Sequence, residues 1–172
     1  MYKEYQNAKI TKDKLKRLFI EESIKKTEQS VSVNQIIKLA NINRSTFYIH
    51  YHNMEELILD IENDILTNYD NVLKNANIKS KQDFVDVVCK TATAEQNTLK
   101  SIINSECFQK LLNSLRDLLA KYLRPFVTAQ DNNQKTIKTI FISSGIVNVL
   151  RYCLTNQIDI EQNKKILIDL IN

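Results

Sequence analysis

A single glycine, Gly145, and a single proline, Pro125, occur in 172 residues, where average usage would supply roughly ten of each. Hairpins and strand-to-helix loops draw on both, Gly to tolerate positive φ and Pro to preset a turn. Their scarcity argues against strand-and-turn architectures and leaves an all-α fold. Cysteine is also sparse. Cys89, Cys107 and Cys153 are odd in number, far apart and set in apolar helical patterns, so neither a disulfide framework nor a zinc site is expected. They read as buried small hydrophobes, and without a CxxC pair or a directly flanking cluster of basic residues no redox role is expected. No apolar run approaches the ~18 residues of a membrane span, and the opening MYKEYQNAKITKDKLKR has no hydrophobic signal region. The expectation is a cytoplasmic chain with no membrane contact. No Ser/His/Asp order, Gly-rich phosphate loop or metal-ligand spacing is present, so no enzymatic activity, cofactor or metal is expected.

Charge is unevenly placed. Residues 1–52 carry ten Lys/Arg against five Asp/Glu, whereas the remaining 120 carry 14 basic and 15 acidic residues. A positive N-terminal third suits an anionic partner. The length allows one large domain or two small ones.

Apolar residues at helical spacing, Leu15, Leu18, Phe19 and Ile24, predict a first helix from Thr11 to Glu28. Ser32 stands three residues before Gln35, the capping-box spacing, and starts a short helix over Val33, Ile36, Ile37 and Ala40. Asn41-Ile42-Asn43 interrupts it, and Asn43 is placed to cap a third helix from Arg44 to Tyr51. Asn53 and Glu56 repeat the capping pattern and open a long connecting helix through Leu73. Past a polar loop at 75–82, apolar periodicity predicts helices around Phe84–Ala92, Phe108–Leu123, 135–155 and 160–171, with Pro125 stopping one of them and a loop at 130–134.

Two short helices joined by a three-residue turn are the minimal helix-turn-helix, whose second helix enters the DNA major groove. The string SVNQIIKLANINRSTFYIHYHNMEEL, with Ala40, Thr46, Phe47, Tyr48, His50, Tyr51, Asn53, Glu55, Glu56 and Leu57 at matching positions, resembles the TetR family of regulators. The match covers about the first third of the chain. It implies an N-terminal DNA-binding domain over 1–52, a connecting helix over 53–75 and a helical dimerisation and effector domain over 76–172. The implied function is sequence-specific binding of palindromic double-stranded operator DNA as a homodimer. Repression is the family default, with release by a small-molecule effector that the sequence does not identify.

Helix geometry assigns roles. Phe47 and Tyr51, one turn apart, face inward with Ile36, Ile37 and Leu39. Arg44, Ser45 and Thr46 form the first turn of the recognition helix, with Arg44 the specificity residue, paired with guanine. By the resemblance Tyr48 gives its hydroxyl to a phosphate, His50 meets the backbone or a base edge, and Ile49 meets a thymine methyl. Ser32 and Val33, like Asn43 and Asn53, stand at helix starts whose N–H groups can meet phosphates. Where the family usually has Lys this chain has Met54, which removes one phosphate contact.

Ser143, Ser144 and Gly145 place small residues within a bulky helix, which points to close helix packing. By the resemblance, the last two helices form a four-helix dimer interface through Ile137, Ile140, Phe141, Ser144, Gly145, Asn148, Arg151, Ile166 and Leu170; the alternative is a tight crossing within the chain. The rival function is a helical adaptor that binds another protein instead of DNA, and Arg44, Thr46 and Tyr48 argue against it.

Overall fold

The computed structural model describes residues 2–25, 31–105 and 108–171; Glu28 and Cys107 lie outside them. Among the described residues nine α-helices run in order, with no strand: α1 (Tyr2–Lys25), α2 (Val33–Ala40), α3 (Arg44–His50), α4 (Met54–Asn75), α5 (Lys81–Ala94), α6 (Gln96–Ile102), α7 (Phe108–Leu123), α8 (Asn132–Thr155) and α9 (Ile160–Ile171). Short polar caps divide them. Ser32 Oγ accepts from Gln35 N–H while Gln35 Oε1 accepts from Ser32 N–H, the reciprocal pair that starts α2. Asn53, Ser80 and Asp131 likewise accept from the backbone three residues on. Asn41 ends α2 in the left-handed region at φ 49°, a conformation that Asn tolerates better than most residues. Pro125 sits in a 3-10 turn, Arg124–Phe126, directly after α7.

One cluster of buried side chains runs from Leu15 to Ile171. The first helix packs on both α2 and α6, α4 on α5 and α7, α5 on α9, and α7 on α8. The N-terminal third is thus fastened to the rest through α1 against α6 as well as through the continuous α4.

Several expectations are corrected. The first helix begins at Tyr2 instead of Thr11, because the Lys- and Asn-containing opening breaks no helix rule even though it lacks an apolar stripe. The seven residues of α6 have no counterpart among the expected helices. Leu99 and Ile102 alone give it an apolar side, too little periodicity to register. The run 130–134 is loop only to Asp131, which caps α8. Asn43 precedes α3 without a side-chain cap bond; its carbonyl accepts from Thr46 and Phe47 instead. Leu39 is 46 % exposed, not inward: the stripe through Val33, Ile36, Ile37 and Ala40 lies roughly 110° around the helix from it. Ile24 is exposed too. Finally, α8 is long and apolar enough by length and composition to cross a membrane, contrary to expectation. Thr139, Ser143, Ile146, Val147, Leu150, Cys153 and Leu154 are nevertheless buried on its inner side, and a core helix passes the same test.

The Ser32 cap carries a prediction. Ser32→Ala removes the acceptor for Gln35 N–H and should cost about 1 kcal/mol, read as an earlier urea midpoint at fixed protein concentration; an unchanged midpoint would show that α2 is held by packing alone.

Candidate nucleic-acid interface

Helix α3 is held from below by two aromatic rings. Phe47 and Tyr51 are buried with ring centroids 5.9 Å apart, as the one-turn spacing requires. The Tyr51 hydroxyl donates to Asp60 Oδ2 on α4 at 2.7 Å. Lys12 Nζ reaches the same oxygen at 3.3 Å and stands 5.0 Å from the centre of the Tyr51 ring. Lys16 pairs with Asp60 at 3.7 Å and also with Asp64. Burial alone would raise the Asp60 carboxyl, but the Tyr51 hydroxyl and the Lys16 and Lys12 ammoniums hold it below the usual carboxylate range. Three helices are therefore tied at one carboxylate: α1 through its lysines, the end of α3 through Tyr51, and α4 through Asp60. Sequence reasoning missed Asp60, whose only signal was its place one turn beyond Glu56 on a helix that leaves the motif.

The outer side of α3 is free of such ties. Arg44, Ser45, Tyr48 and Ile49 are exposed, and Thr46 and His50 are half-buried. Ile49 is 78 % exposed, an aliphatic side chain left in water on the outer side of the helix. Arg44 Nη2 donates to Tyr48 Oη at 3.4 Å, and its guanidinium carbon lies 5.6 Å from the Tyr48 ring centre. This i,i+4 pair pre-orders the arginine and couples two residues that the sequence treats separately. His50 is held below its ordinary pKa, first by desolvation and then by the Lys12 charge, so its ring is neutral at pH 7 and offers one donor and one acceptor.

The helix ends beside α3 differ electrostatically. The first turn of α2 has no acidic residue, and Ser32 is exposed while Val33 is half-buried. The start of α4 carries Glu55 and Glu56. Glu56 accepts from His52 N–H at 2.8 Å and contacts His52 Nδ1 at 2.9 Å, while Asn53 Oδ1 is occupied by Glu56 N–H at 2.9 Å. Of the two ends, α2 is the better cradle for a phosphate. At its other end Lys14 Nζ donates to the Ala40 carbonyl at 2.7 Å, a cation against the negative helix terminus. Met54 is partly buried against the core.

At the far end of the molecule α8 and α9 present a second surface. Ile137, Ile140 and Phe141 on α8 and Ile166 and Leu170 on α9 are exposed, Phe141 to 75 % and Leu170 to 70 %. Gly145, Asn148 and Arg151 are also exposed, and Ser144 is half-buried. Tyr152, outside the expected set, adds a further exposed ring, one helical turn beyond Asn148. A Cβ on Gly145 would meet nothing within 4 Å, whereas Ser143 is fully buried on the inner side of α8. Cys89 and Cys153 are buried. Burial pushes the Cys89 thiol up to about 12 and raises Cys153, which disfavours the reactive thiolate. No group of three or more His, Cys, Asp or Glu is arranged to hold a metal ion among the described residues.

No protein-family model matches the sequence, and no curated protein matches it. Solved structures do. A TetR transcriptional regulator from Streptococcus agalactiae superposes with a TM-score of 0.73 at 18 % identity, covering 98 % of this chain and 97 % of that one. The dihydroxyacetone kinase operon activator DhaS superposes with a TM-score of 0.72, also at 18 % identity, covering 94 % of each chain. The chain has the all-helical fold of these regulators over nearly its whole length.

Proposed function

We propose that this chain is a sequence-specific DNA-binding transcriptional regulator that reads a palindromic operator as a homodimer. The observation that carries the reading is the two-sidedness of α3: Phe47 and Tyr51 lock it onto α1 and α4, while Arg44, Ser45, Tyr48 and Ile49 are exposed on its other side. In a major groove, Arg44 would pair with guanine, Ile49 would cover a thymine methyl, and Ser45 and Thr46 would reach bases or phosphates. Tyr48, His50 and the amino-terminal turns at Ser32–Val33 and Asn53 would contact the sugar-phosphate backbone, with Asn43 at the start of α3 beside them. The N-terminal excess of Lys and Arg supplies the sequence-independent part of the affinity.

The α8–α9 surface is the homodimer interface in this reading, which sets two α3 helices about one DNA turn, ~34 Å, apart. An effector would act by favouring a dimer whose helix spacing no longer fits the half-sites. Repression is the default for such an arrangement, since a protein seated on an operator obstructs other proteins that need the same DNA. The fold likeness to a regulator whose name describes it as an activator leaves activation as the second outcome of the same binding event. The adaptor alternative lacks a reason for an outward arginine and hydroxyl cluster on α3.

Selection of bound duplexes from a random pool tests the reading, with an enriched inverted repeat as the expected product and an unenriched pool as the result against it. On the selected duplex, Arg44→Ala should cost about 1–3 kcal/mol and relax the preference at one base pair per half-site. Tyr48→Phe should weaken all duplexes about equally, since it removes a phosphate donor and keeps the ring under Arg44. Identical loss patterns for both variants would refute this division of roles.

A further inference from the structure

We propose that the groove enclosed by the end of α1, the α6–α7 junction and the end of α8 is a binding site for a small organic anion, a carboxylate or phosphate monoester carried on an apolar body. The space measures about 540 Å³, within the roughly 300–1,000 Å³ typical of small-molecule sites. Its apolar walls are Ile24 from α1, Ile103 and Phe108 at the junction and Leu154 from α8, and its charged side chains are Lys100 on α6 and Arg151 on α8.

The charge pattern identifies the ligand class. No acidic side chain lines the groove among the described residues, and neither Lys100 nor Arg151 forms an ion pair among them. Two cations without an ion-pair partner raise the local positive potential. An anion seated there gains charge-assisted hydrogen bonds from both, and the guanidinium fork of Arg151 suits the two oxygens of a carboxylate or phosphate. The exposed Ile24 and the neighbouring Phe108 and Leu154 supply an apolar surface for the rest of the molecule. The site also lies where the first helix of the DNA-binding third meets α6, so an occupant would bridge α1 to α6 and α8.

Arg151 shares a helix side with Phe141 and Asn148, so the competing account is a carboxylate of a second copy that neutralises Arg151 in the dimer. Calorimetric titration of the full chain with phenyl phosphate and with benzoate, and with phenol as the uncharged control, separates the two. The site predicts saturable binding of at least one of the two anions and none of phenol, and an affinity at least tenfold weaker in Lys100→Gln and in Arg151→Gln. A stronger response to phenyl phosphate assigns a phosphate ligand, and a stronger response to benzoate a carboxylate. No saturable heat from either anion, or equal affinity in the Lys100→Gln/Arg151→Gln double variant, would overturn it. So would an Arg151→Gln protein that falls apart into monomers while binding the anions normally. None of these readouts involves DNA, so the site and the regulatory function stand or fall separately.

Discussion

Glu62→Gln is expected to remove about 2–3 kcal/mol of pH-dependent stability between pH 5 and pH 8. Glu62 faces the core from α4 at 5 % exposure, and its Oε1 has no hydrogen-bond partner. Desolvation raises its carboxyl from 4.5 to about 7, with only a weak opposing pull from Lys110. The folded state therefore holds a proton that the unfolded chain has already released. The contribution of this group is fully present below pH 4.5, shrinks as the unfolded chain ionises, and is lost once the pH has risen through about 7. The wild-type urea midpoint should fall from pH 5 to pH 8, and the Gln variant, which cannot ionise, should fall much less. Parallel curves for the two proteins would mean that the ionised carboxylate finds a partner. Tyr69, two helical turns further along the same side of α4, is fully buried with an unpartnered hydroxyl, and burial holds that hydroxyl well above its ordinary pKa. Helix α4 thus carries two unsatisfied polar groups into the core, each costing on the order of 1–3 kcal/mol.

In the proposed homodimer, Phe141→Asp should raise the dissociation constant by about a thousandfold. Phe141 is the most exposed of the aromatic side chains on the α8–α9 surface, and fully burying such a ring is worth about 1.5–3 kcal/mol. In an isologous interface one substitution acts twice, once from each subunit, and two losses of about 2 kcal/mol give roughly three decades. The added carboxylate, desolvated without a partner, acts in the same direction. Sedimentation equilibrium should find a monomer at concentrations where the wild type is dimeric, with helical content preserved because the position is not in the subunit core. A variant that stays dimeric would place the interface elsewhere. The same variant should lose preference for a full palindrome over a half-site.

The fold was legible where apolar residues recur at helical spacing. Leu57, Ile61, Ile65, Tyr69 and Leu73 announce α4, and Leu111, Leu115, Leu119 and Leu123 announce α7, because burying one stripe is what fixes a helix in a protein. The capped starts of α2 and α4 were equally clear, since Ser32–Gln35 and Asn53–Glu56 bind locally and owe nothing to distant packing. What escaped was set by tertiary contact: α6 has two buried residues and exists because α1 covers it, and α1 continues to Tyr2 beyond any apolar pattern. The candidate site divides the same way. Outward residues of α3 follow from its seven-residue span, but the Tyr51–Asp60–Lys12 cluster and the stacking of Arg44 on Tyr48 join side chains whose meeting depends on helix crossings and rotamers. Leu39 shows the converse error, an apolar residue grouped with the inward set although its angular position turns it out.

The most direct test of DNA reading through α3 is a fluorescence-anisotropy titration of the full chain against its selected duplex and a scrambled duplex of equal composition, at two salt concentrations. Preferential binding of the selected duplex, with log affinity falling against log salt by about 0.9 for each phosphate contact and the preference reduced by Arg44→Ala, is the predicted result. Equal, weak binding to both duplexes, indifferent to Arg44, would contradict the account and favour a protein partner for the exposed side of α3.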